Sequence, residues 1–366
     1  MTAGPIKVMI VDDSASIRAG LKALLSTDPE IEVIASAADP FEAAERLRSM
    51  VPDVMLLDIE MPKMDGLTFL SKIMAQRPLP VVICSSHTEA GSKTAMRALE
   101  LGAAEVIGKP NLGSPRERQE AQMRVCDAVH AAVQTRPGAR GSTPRPMQPG
   151  PKHTADVILP PARAHAAKPP QTAPLVAIGA STGGTEALAS ILRELPPNAP
   201  PVVIVQHMPE RFTAAFAQRL DGLSRVRVAE AVTGDQLTSG LVLIAPGDHH
   251  LLLRRQGLNY RVEVVEGPYV ARHRPSVDVL FRSVAQAAGP NALGILLTGM
   301  GDDGARGLLE MKQAGSGTIA QDEATSVVFG MPREALRMGA TERALPLGRM
   351  ANEIVTWGRK HVGSAQ

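Results

Sequence analysis

The chain has 366 residues, 44 % hydrophobic and 21 % charged, with a formal net charge of +2. At about 150 residues per domain this predicts two to three folded domains and excludes a chain disordered throughout. Six Phe, two Tyr and one Trp leave few platforms for stacking nucleic-acid bases, and two cysteines, Cys84 and Cys126, exclude a disulfide framework or a four-thiolate zinc site.

Up to residue 133, short apolar runs alternate five times with helical periods. Lys7–Val11, Ile31–Ala35, Val54–Leu57, Val81–Cys84 and Glu105–Ile107 read as buried strands. Ala15–Leu25, Phe41–Met50, Leu67–Ala75, Lys93–Leu101 and Arg116–Val133 have helical spacing. Near-continuous apolar strands separated by helices predict a parallel sheet covered on both faces, here a domain over residues 1–133. No apolar run approaches the roughly 18 residues that span a bilayer, and the N-terminal residues lead straight into strand-like sequence. A cytoplasmic protein without membrane insertion is expected.

Ligands of such sheets bind where loops leave the carboxyl ends of strands. Asp12 and Asp13 close the first predicted strand and Asp58 closes the third; together they would repel one another without a cation, and a hard divalent ion such as Mg²⁺ takes oxygen ligands of this kind. Ser85, Ser86 and Lys109 stand at two further strand ends, where a hydroxyl and an ammonium suit an anion carried on a carboxylate. An aspartyl phosphate is such a species. Singly, these residues read as helix or turn caps; five such features in consistent order at four strand ends do not. Over residues 6–130 the set resembles the receiver domain of two-component response regulators, with Asp58-Ile-Glu-Met-Pro-Lys-Met-Asp-Gly its most specific run. The resemblance implies a flavodoxin-like fold. It makes Asp58 the phosphoacceptor, Asp13 and Asp58 the side-chain Mg²⁺ ligands, and Asp12 a nearby or water-mediated contributor. Ser85 becomes the switch hydroxyl and Lys109 the phosphate-contacting lysine, with a sensor histidine kinase as phosphodonor. Val106 stands where receivers commonly carry an aromatic residue, which puts an aromatic switch there in doubt.

Residues 134–172 hold nine prolines and no aromatic, with Val157–Leu159 their one short apolar run. A semi-extended linker is expected there. Lys/Arg against Asp/Glu number 14 against 18 in residues 1–133 (−4), six against one in 134–172 (+5) and 19 against 18 in 173–366 (+1). The basic excess thus falls in the linker, and nucleic-acid binding is not expected of either folded part.

From residue 173 the alternation resumes. Leu175–Ile178, Val202–Gln206, Val226–Glu230, Leu241–Ala245, Leu293–Leu297 and Thr318–Ala320 read as strands. Glu186–Leu195, Phe212–Leu220, Val277–Ala288, Ala305–Ala314 and Arg333–Met338 read as helices. Leu251–Arg254 and Tyr260–Val265 flank Gln256-Gly257-Leu258-Asn259 as a hairpin. The first strand runs into Gly179-Ala-Ser181-Thr182-Gly183-Gly184, a G-x-S-x-G turn that would expose Ser181 beside a helix N-terminus. A dinucleotide pyrophosphate site, as in an oxidoreductase, and a structural glycine turn capped by Thr185 compete with that reading. His207 after the second strand and Asp302 and Asp303 after the fifth could converge on Ser181, the histidine as base and an aspartate as its orienter. His249 and His250 are rival bases, and this pattern does not separate Asp302 from Asp303.

Gly179–Gly184, Gln206-His207-Met208, Ala245–His250, His273-Arg-Pro-Ser-Val-Asp278 and Leu297–Gly304 resemble, as an ordered set, the chemotaxis protein-glutamate methylesterase domain across about 173–362. The resemblance implies a second doubly wound, Rossmann-like sheet without α/β-hydrolase topology. It makes Ser181, His207 and Asp303 the catalytic triad, with the Met300 amide and Thr182 as oxyanion donors and no cofactor for the esterase. It further implies methyl-accepting chemoreceptors as protein substrates, glutamate γ-methyl esters hydrolysed to release methanol, and receptor glutamines deamidated. The unphosphorylated receiver is expected to limit access to the hydrolase. A response regulator with a non-enzymatic output is the remaining alternative.

Overall fold

Five apolar runs form the strands of the first sheet, the central ones buried on both faces and the edge run Ile31–Ala37 mainly on one. In a computed structural model, which describes residues 4–61, 64–86, 89–135, 153–161 and 172–362, they are β1 (Ile6–Val11), β2 (Ile31–Ala37), β3 (Val54–Asp58), β4 (Val81–Ser85) and β5 (Glu105–Gly108). All pair in parallel in the order β2-β1-β3-β4-β5. The crossovers are α1 (Ala15–Leu25), α2 (Pro40–Ser49), α3 (Gly66–Gln76) and α4 (Glu89–Glu100), and α5 (Pro115–Gln134) follows β5. Their starts follow from capping chemistry: the Ser14 hydroxyl accepts the Ile17 amide, Asp39 accepts those of Phe41 and Glu42, and Ser114 with Glu117 closes a capping box. Leu21 and Leu25 of α1 and Val125 and Val129 of α5 bury against Val8, Ile10, Val54 and Leu56.

The chain divides into two compact units at residues 148 and 149. The second is built on a seven-stranded parallel sheet of β6 (Leu175–Ala180), β7 (Val202–Gln206), β8 (Arg227–Glu230), β9 (Leu241–Ile244), β12 (Ala292–Leu296), β13 (Gly317–Gln321) and β14 (Ala344–Leu345). Its order is β14-β13-β12-β6-β7-β9-β8. The expected hairpin is β10 (His250–Gln256) paired antiparallel with β11 (Asn259–Val265), turning at Gly257 with φ +62°. Helices α6 (Gly184–Glu194), α7 (Phe212–Leu223), α8 (Val277–Ala287), α9 (Ala305–Gln313), α10 (Met331–Arg337) and α11 (Met350–Val362) complete the unit. Leu251, Leu253 and Val262 of the hairpin join Leu280, Phe281 and Val284 of α8 and Leu175 and Ala177 of β6 in one core. Each fully buried side chain of that size contributes roughly 1.5–3 kcal/mol. Both sheets are doubly wound, as expected.

Three elements differ from the sequence expectations. β14 and α11 read as neither strand nor helix by pattern. The helix forms over Ile354-Val-Thr-Trp-Gly358, a poor helical run, because Met350, Ala351 and Ile354 bury on one face and Gly358 packs closely on Pro200. The expected linker is also not uniform. Residues 136–152 and 162–171 lie outside the described residues, but 153–161 fold onto the second unit, with a 3-10 turn at Ala155–Val157. Ala155 and Leu159 are buried against Leu252, Val270 and Val279, and Thr172 is buried with its hydroxyl bonded to Tyr260. Within 153–161, two well-spaced apolar residues, Ala155 and Leu159, suffice to dock a short strap.

Candidate active site and phosphoacceptor site

The strand order of the first sheet reverses at β1, which is flanked by β2 and β3, so the loops after β1 and β3 leave a crevice at their carboxyl ends. Asp12 and Asp13 follow β1, Asp58 ends β3, and their carboxylate oxygens lie within 4.8 Å of one another. Asp12 and Asp58 are buried and Asp13 is exposed. Lys109, just beyond β5, places its ammonium 2.7 Å from Asp58 Oδ2 and 3.1 Å from Asp12 Oδ2. Burial opposes that charge, but the hydrogen bond and charge of Asp58, then the charge of Asp12, outweigh it and raise the lysine above its ordinary pKa. Burial raises Asp12 too, against the Ser14 amide and Lys109, which favour its anion. Ser85 is buried one position beyond the Asp58–Cys84 pair of β3 and β4, and its carbonyl accepts the Lys109 amide at 2.9 Å. Asp12 Oδ2 is buried and faces the cleft beside the Lys109 ammonium. Three hard oxygen donors, one of them so placed, fit a small divalent cation such as Mg²⁺.

The second sheet reverses between β6, which leads to β7 on one side, and β12, which leads to β13 on the other. Ser181 follows β6 in a turn made possible by Gly183 at φ +79°, where a Cβ would come within 2.6 Å of Val327. The Ser181 amide donates to the Thr298 carbonyl and the His207 amide to the Ala180 carbonyl, each at 3.0 Å. These bonds stitch together the ends of β6, β7 and β12.

His207 Nε2 lies 2.8 Å from Asp303 Oδ2. Asp303 is fully buried and accepts at every position it has. Oδ1 takes the Ser276 hydroxyl at 2.8 Å and the Asp278 amide at 3.0 Å, and Oδ2 takes the Val277 amide at 2.8 Å beside His207. Burial alone would raise this carboxyl. The His207 hydrogen bond, the charges of His207 and His273 and the Asp278 amide reverse that and hold it below the usual carboxylate range. The anion also faces the N-terminal amides of α8. An ionised carboxylate only accepts, so Nε2 of a neutral His207 carries the proton and Nδ1 presents a lone pair. That Nδ1 is buried and has no hydrogen-bond partner. No hydrogen bond joins the Ser181 hydroxyl to the ring; the two groups stand on adjacent strand ends, both without that bond.

Around this pair, His273 stacks on His207 with ring centroids 3.6 Å apart and planes 7° apart. Asp278 Oδ1 accepts the amides of Gly304 at 3.0 Å and Gly307 at 2.7 Å, fixing the start of α9 against α8. Burial first, then the charge of Asp303, pushes the Asp278 carboxyl upward, so the two buried carboxyls diverge. His207, His273 and Asp303 also offer donor atoms within 4.8 Å. The two rings, however, are stacked with their planes nearly parallel, and both Asp303 oxygens are already engaged. Met300 follows Gly299, which packs so closely that a Cβ there would meet Ser181 Cβ at 2.6 Å. Among the described residues no hydrogen bond uses the Met300 amide. Thr182 is buried, its carbonyl accepting the Thr298 hydroxyl at 3.0 Å.

Residues 176–354 match the CheB methylesterase family and residues 8–117 the response regulator receiver domain. The chain is 59 % identical over 355 residues to protein-glutamate methylesterase/protein-glutamine glutaminase 5 of Anaeromyxobacter dehalogenans, with 97 % of each chain covered. The chain belongs to the CheB methylesterase family. A second relative, the protein-glutamate methylesterase/protein-glutamine glutaminase of the group 3 operon of Cereibacter sphaeroides, is 56 % identical and is covered over 96 % of its length, with 97 % of this chain. The Thermotoga maritima CheB methylesterase catalytic domain is 38 % identical at a TM-score of 0.49, covering 50 % of this chain and 98 % of that one.

In this CheB-family chain the geometry separates candidates that pattern left open. Asp303, not Asp302, bonds His207. His250 is a satisfied core residue: Nε2 bonds the Pro268 carbonyl at 2.9 Å, Nδ1 accepts the Ser276 amide at 3.3 Å, and burial lowers its pKa. His249 Nδ1 bonds the Gly247 carbonyl at 3.1 Å. Thr185 caps nothing: Gly183 is the N-cap of α6 and no side chain serves there. Sequence reasoning assigned no role to Ser276, Asp278 or His273, although all three lie in the run His273–Asp278. The first two read as ordinary helix-start residues, and Ser276 does cap α8 through the Val279 amide. No helix among the described residues is long and apolar enough to cross a membrane.

Proposed function

We propose that this chain hydrolyses glutamate γ-methyl esters of chemoreceptors and deamidates receptor glutamines in the cytoplasm, under control of phosphorylation at Asp58 by a sensor histidine kinase, in chemotaxis adaptation. The observation that carries this reading is the His207–Asp303 hydrogen bond of 2.8 Å, which leaves a bare, buried Nδ1 beside the strand end bearing Ser181. Ser181 Oγ attacks the ester carbonyl as His207 Nδ1 takes its proton, and Asp303 stabilises the resulting imidazolium through Nε2–H. The oxyanion is received by the Met300 amide, with Thr182 in support. Collapse expels methanol, or ammonia from an amide, which takes the proton from His207. Water deprotonated by the same nitrogen then cleaves the acyl-serine to glutamate, and the proton returns to Ser181. No cofactor is assigned to this chemistry.

In the receiver, Asp58 is the phosphoacceptor, and Asp13 and Asp58, with Asp12 beside them, would hold Mg²⁺. When bound, that ion offsets the negative charge of the carboxylates and the arriving phosphoryl group. Lys109 supplies a fixed cation for the phosphoryl oxygens and Ser85 a hydroxyl. The test is methanol release from methyl-labelled receptor membranes by the full chain and by Ser181→Ala. Background release by the variant is expected; undiminished release would overturn the proposal.

A further inference from the structure

The catalytic histidine has a neighbour that the proposed chemistry does not use, and that neighbour is held from an unexpected direction. His273 sits at the end of a tight turn closed by reciprocal backbone bonds with Val270, at 3.1 Å and 2.8 Å. Within it, Ala271 and Arg272 adopt φ of +47° and +73°, a left-handed conformation that side chains other than glycine disfavour and that the surroundings must impose. What imposes it is the strap 153–161. The Ala271 amide donates to the His153 carbonyl at 3.0 Å, and Ala155 and Leu159 bury against Val270 itself. Ile158 packs on Gly267 so tightly that a Cβ there would lie 2.2 Å from its Cδ1. The strap is anchored in turn on α8. Arg282, buried and paired with Glu310 at 2.6 Å, donates to Asp156 and, at 2.9 Å, to the Leu159 carbonyl, while Gln286 donates to the Pro160 carbonyl at 2.8 Å.

The Ala271 carbonyl then accepts His273 Nδ1 at 2.9 Å, which fixes the ring's tautomer and plane. Burial first, then the charge of His207, holds the His273 pKa down to about 3, so its ring stays neutral and leaves Asp303 to His207. Its Nδ1 is 4.0 Å from Asp303 Oδ2, beyond hydrogen-bonding reach.

We propose that His273, held in place by the strap 153–161, is a positioning residue for His207: its stacked ring blocks rotation of the catalytic imidazole away from Ser181. The proposal rests on the hydrolase reading above. It explains why a proline-rich connector carries a well-spaced apolar pair and an ion pair to α8. It also puts residues 153–161 in contact with the turn that carries His273.

The test is steady-state methanol release by the full chain carrying His273→Ala, His273→Phe, Leu159→Asp or Asp156→Ala, and by the double variant His273→Ala/Leu159→Asp. Displacing a catalytic group by about 1 Å can cost on the order of 10²-fold. His273→Ala should lower kcat by about 10- to 100-fold with KM changed less than about threefold, and His273→Phe, which keeps a flat stacking ring, should recover most of the loss. Leu159→Asp should reproduce the kcat effect, Asp156→Ala should give a milder version in a chain that folds normally, and the double variant should be no worse than His273→Ala alone. Unchanged kcat in His273→Ala, no recovery with Phe, or fully additive losses would overturn the proposal. Ser181→Ala, run alongside, separates the failures: if it stays active the hydrolase reading fails, and if it is dead while His273→Ala is normal only the positioning role fails.

Discussion

Replacing Asp303 by Asn removes one negative charge and almost no volume. In the native chain its two oxygens accept four hydrogens, from Ser276, Asp278, Val277 and His207. An amide supplies one acceptor oxygen and one donor nitrogen. With the nitrogen turned toward Oδ2's partners, it opposes the Val277 amide and bonds His207 only if the ring gives up its Nε2 proton. The proton then sits on Nδ1, where the base must be free. With the nitrogen turned the other way, it opposes the Asp278 amide and keeps the right tautomer, but the charge that stabilises the imidazolium is gone. Either orientation leaves one backbone N–H unsatisfied, at about 1–3 kcal/mol of stability. Both remove an interaction that matters most in the transition state, and the same change in a serine protease with a Ser-His-Asp triad costs about 10⁴ in kcat, near 5.5 kcal/mol. Asp303→Asn should therefore lose about 10³- to 10⁴-fold in methanol release, with a melting temperature about 2–12 °C lower by circular dichroism. A folded variant retaining a tenth or more of the native kcat would refute the assignment of Asp303.

Asp58→Ala should abolish the rise in methanol release produced by a small-molecule phosphodonor with Mg²⁺, whereas an unaltered rise would count against Asp58 as phosphoacceptor. Gly304→Ala should destabilise by about 2–5 kcal/mol in urea unfolding, because Gly304 has φ +90° and its new Cβ would sit 2.6 Å from Val277 and 2.7 Å from Leu296. Asp278→Asn tests the raised carboxyl. A folded pKa above the unfolded value near 3.9 means a contribution fully present below that pH and lost as pH rises toward the folded value, so the variant should gain on the native chain by up to roughly 1.4 kcal/mol per pH unit above about pH 4. A gap that is flat or shrinks with pH would contradict this. A fragment beginning at residue 173 should be less stable than one beginning at 149 by about 2–5 kcal/mol, since it loses Leu159 burial and leaves Arg282 short of partners; equal urea midpoints would show the strap to be dispensable.

The sheet cores were legible because strands buried on both faces are continuous apolar runs, and the sequence carries their order of appearance, though not their order in the sheet. Ser181, His207 and the pair Asp302 and Asp303 stood out for a related reason: parallel sheets project strand ends to one edge, although only the resemblance singled out Asp303, the one that bonds His207. What pattern could not show was the support. Ser276 and Asp278 look like cap residues until Asp303 is seen to accept from both, and His273 is an isolated histidine until its ring lies on that of His207. The strap was read by composition, which reports that a segment makes no regular element but not that Ala155 and Leu159 find an apolar seat. α11 was missed because burial of Met350 and Ile354 overrides weak helix propensity.

The most direct measurement of the central claim is peptide mapping of the full chain after reaction with a serine-directed fluorophosphonate. One adduct per chain is expected, on Ser181, formed far more slowly in His207→Ala. An adduct elsewhere, or labelling of Ser181 at the native rate without the imidazole, would contradict it.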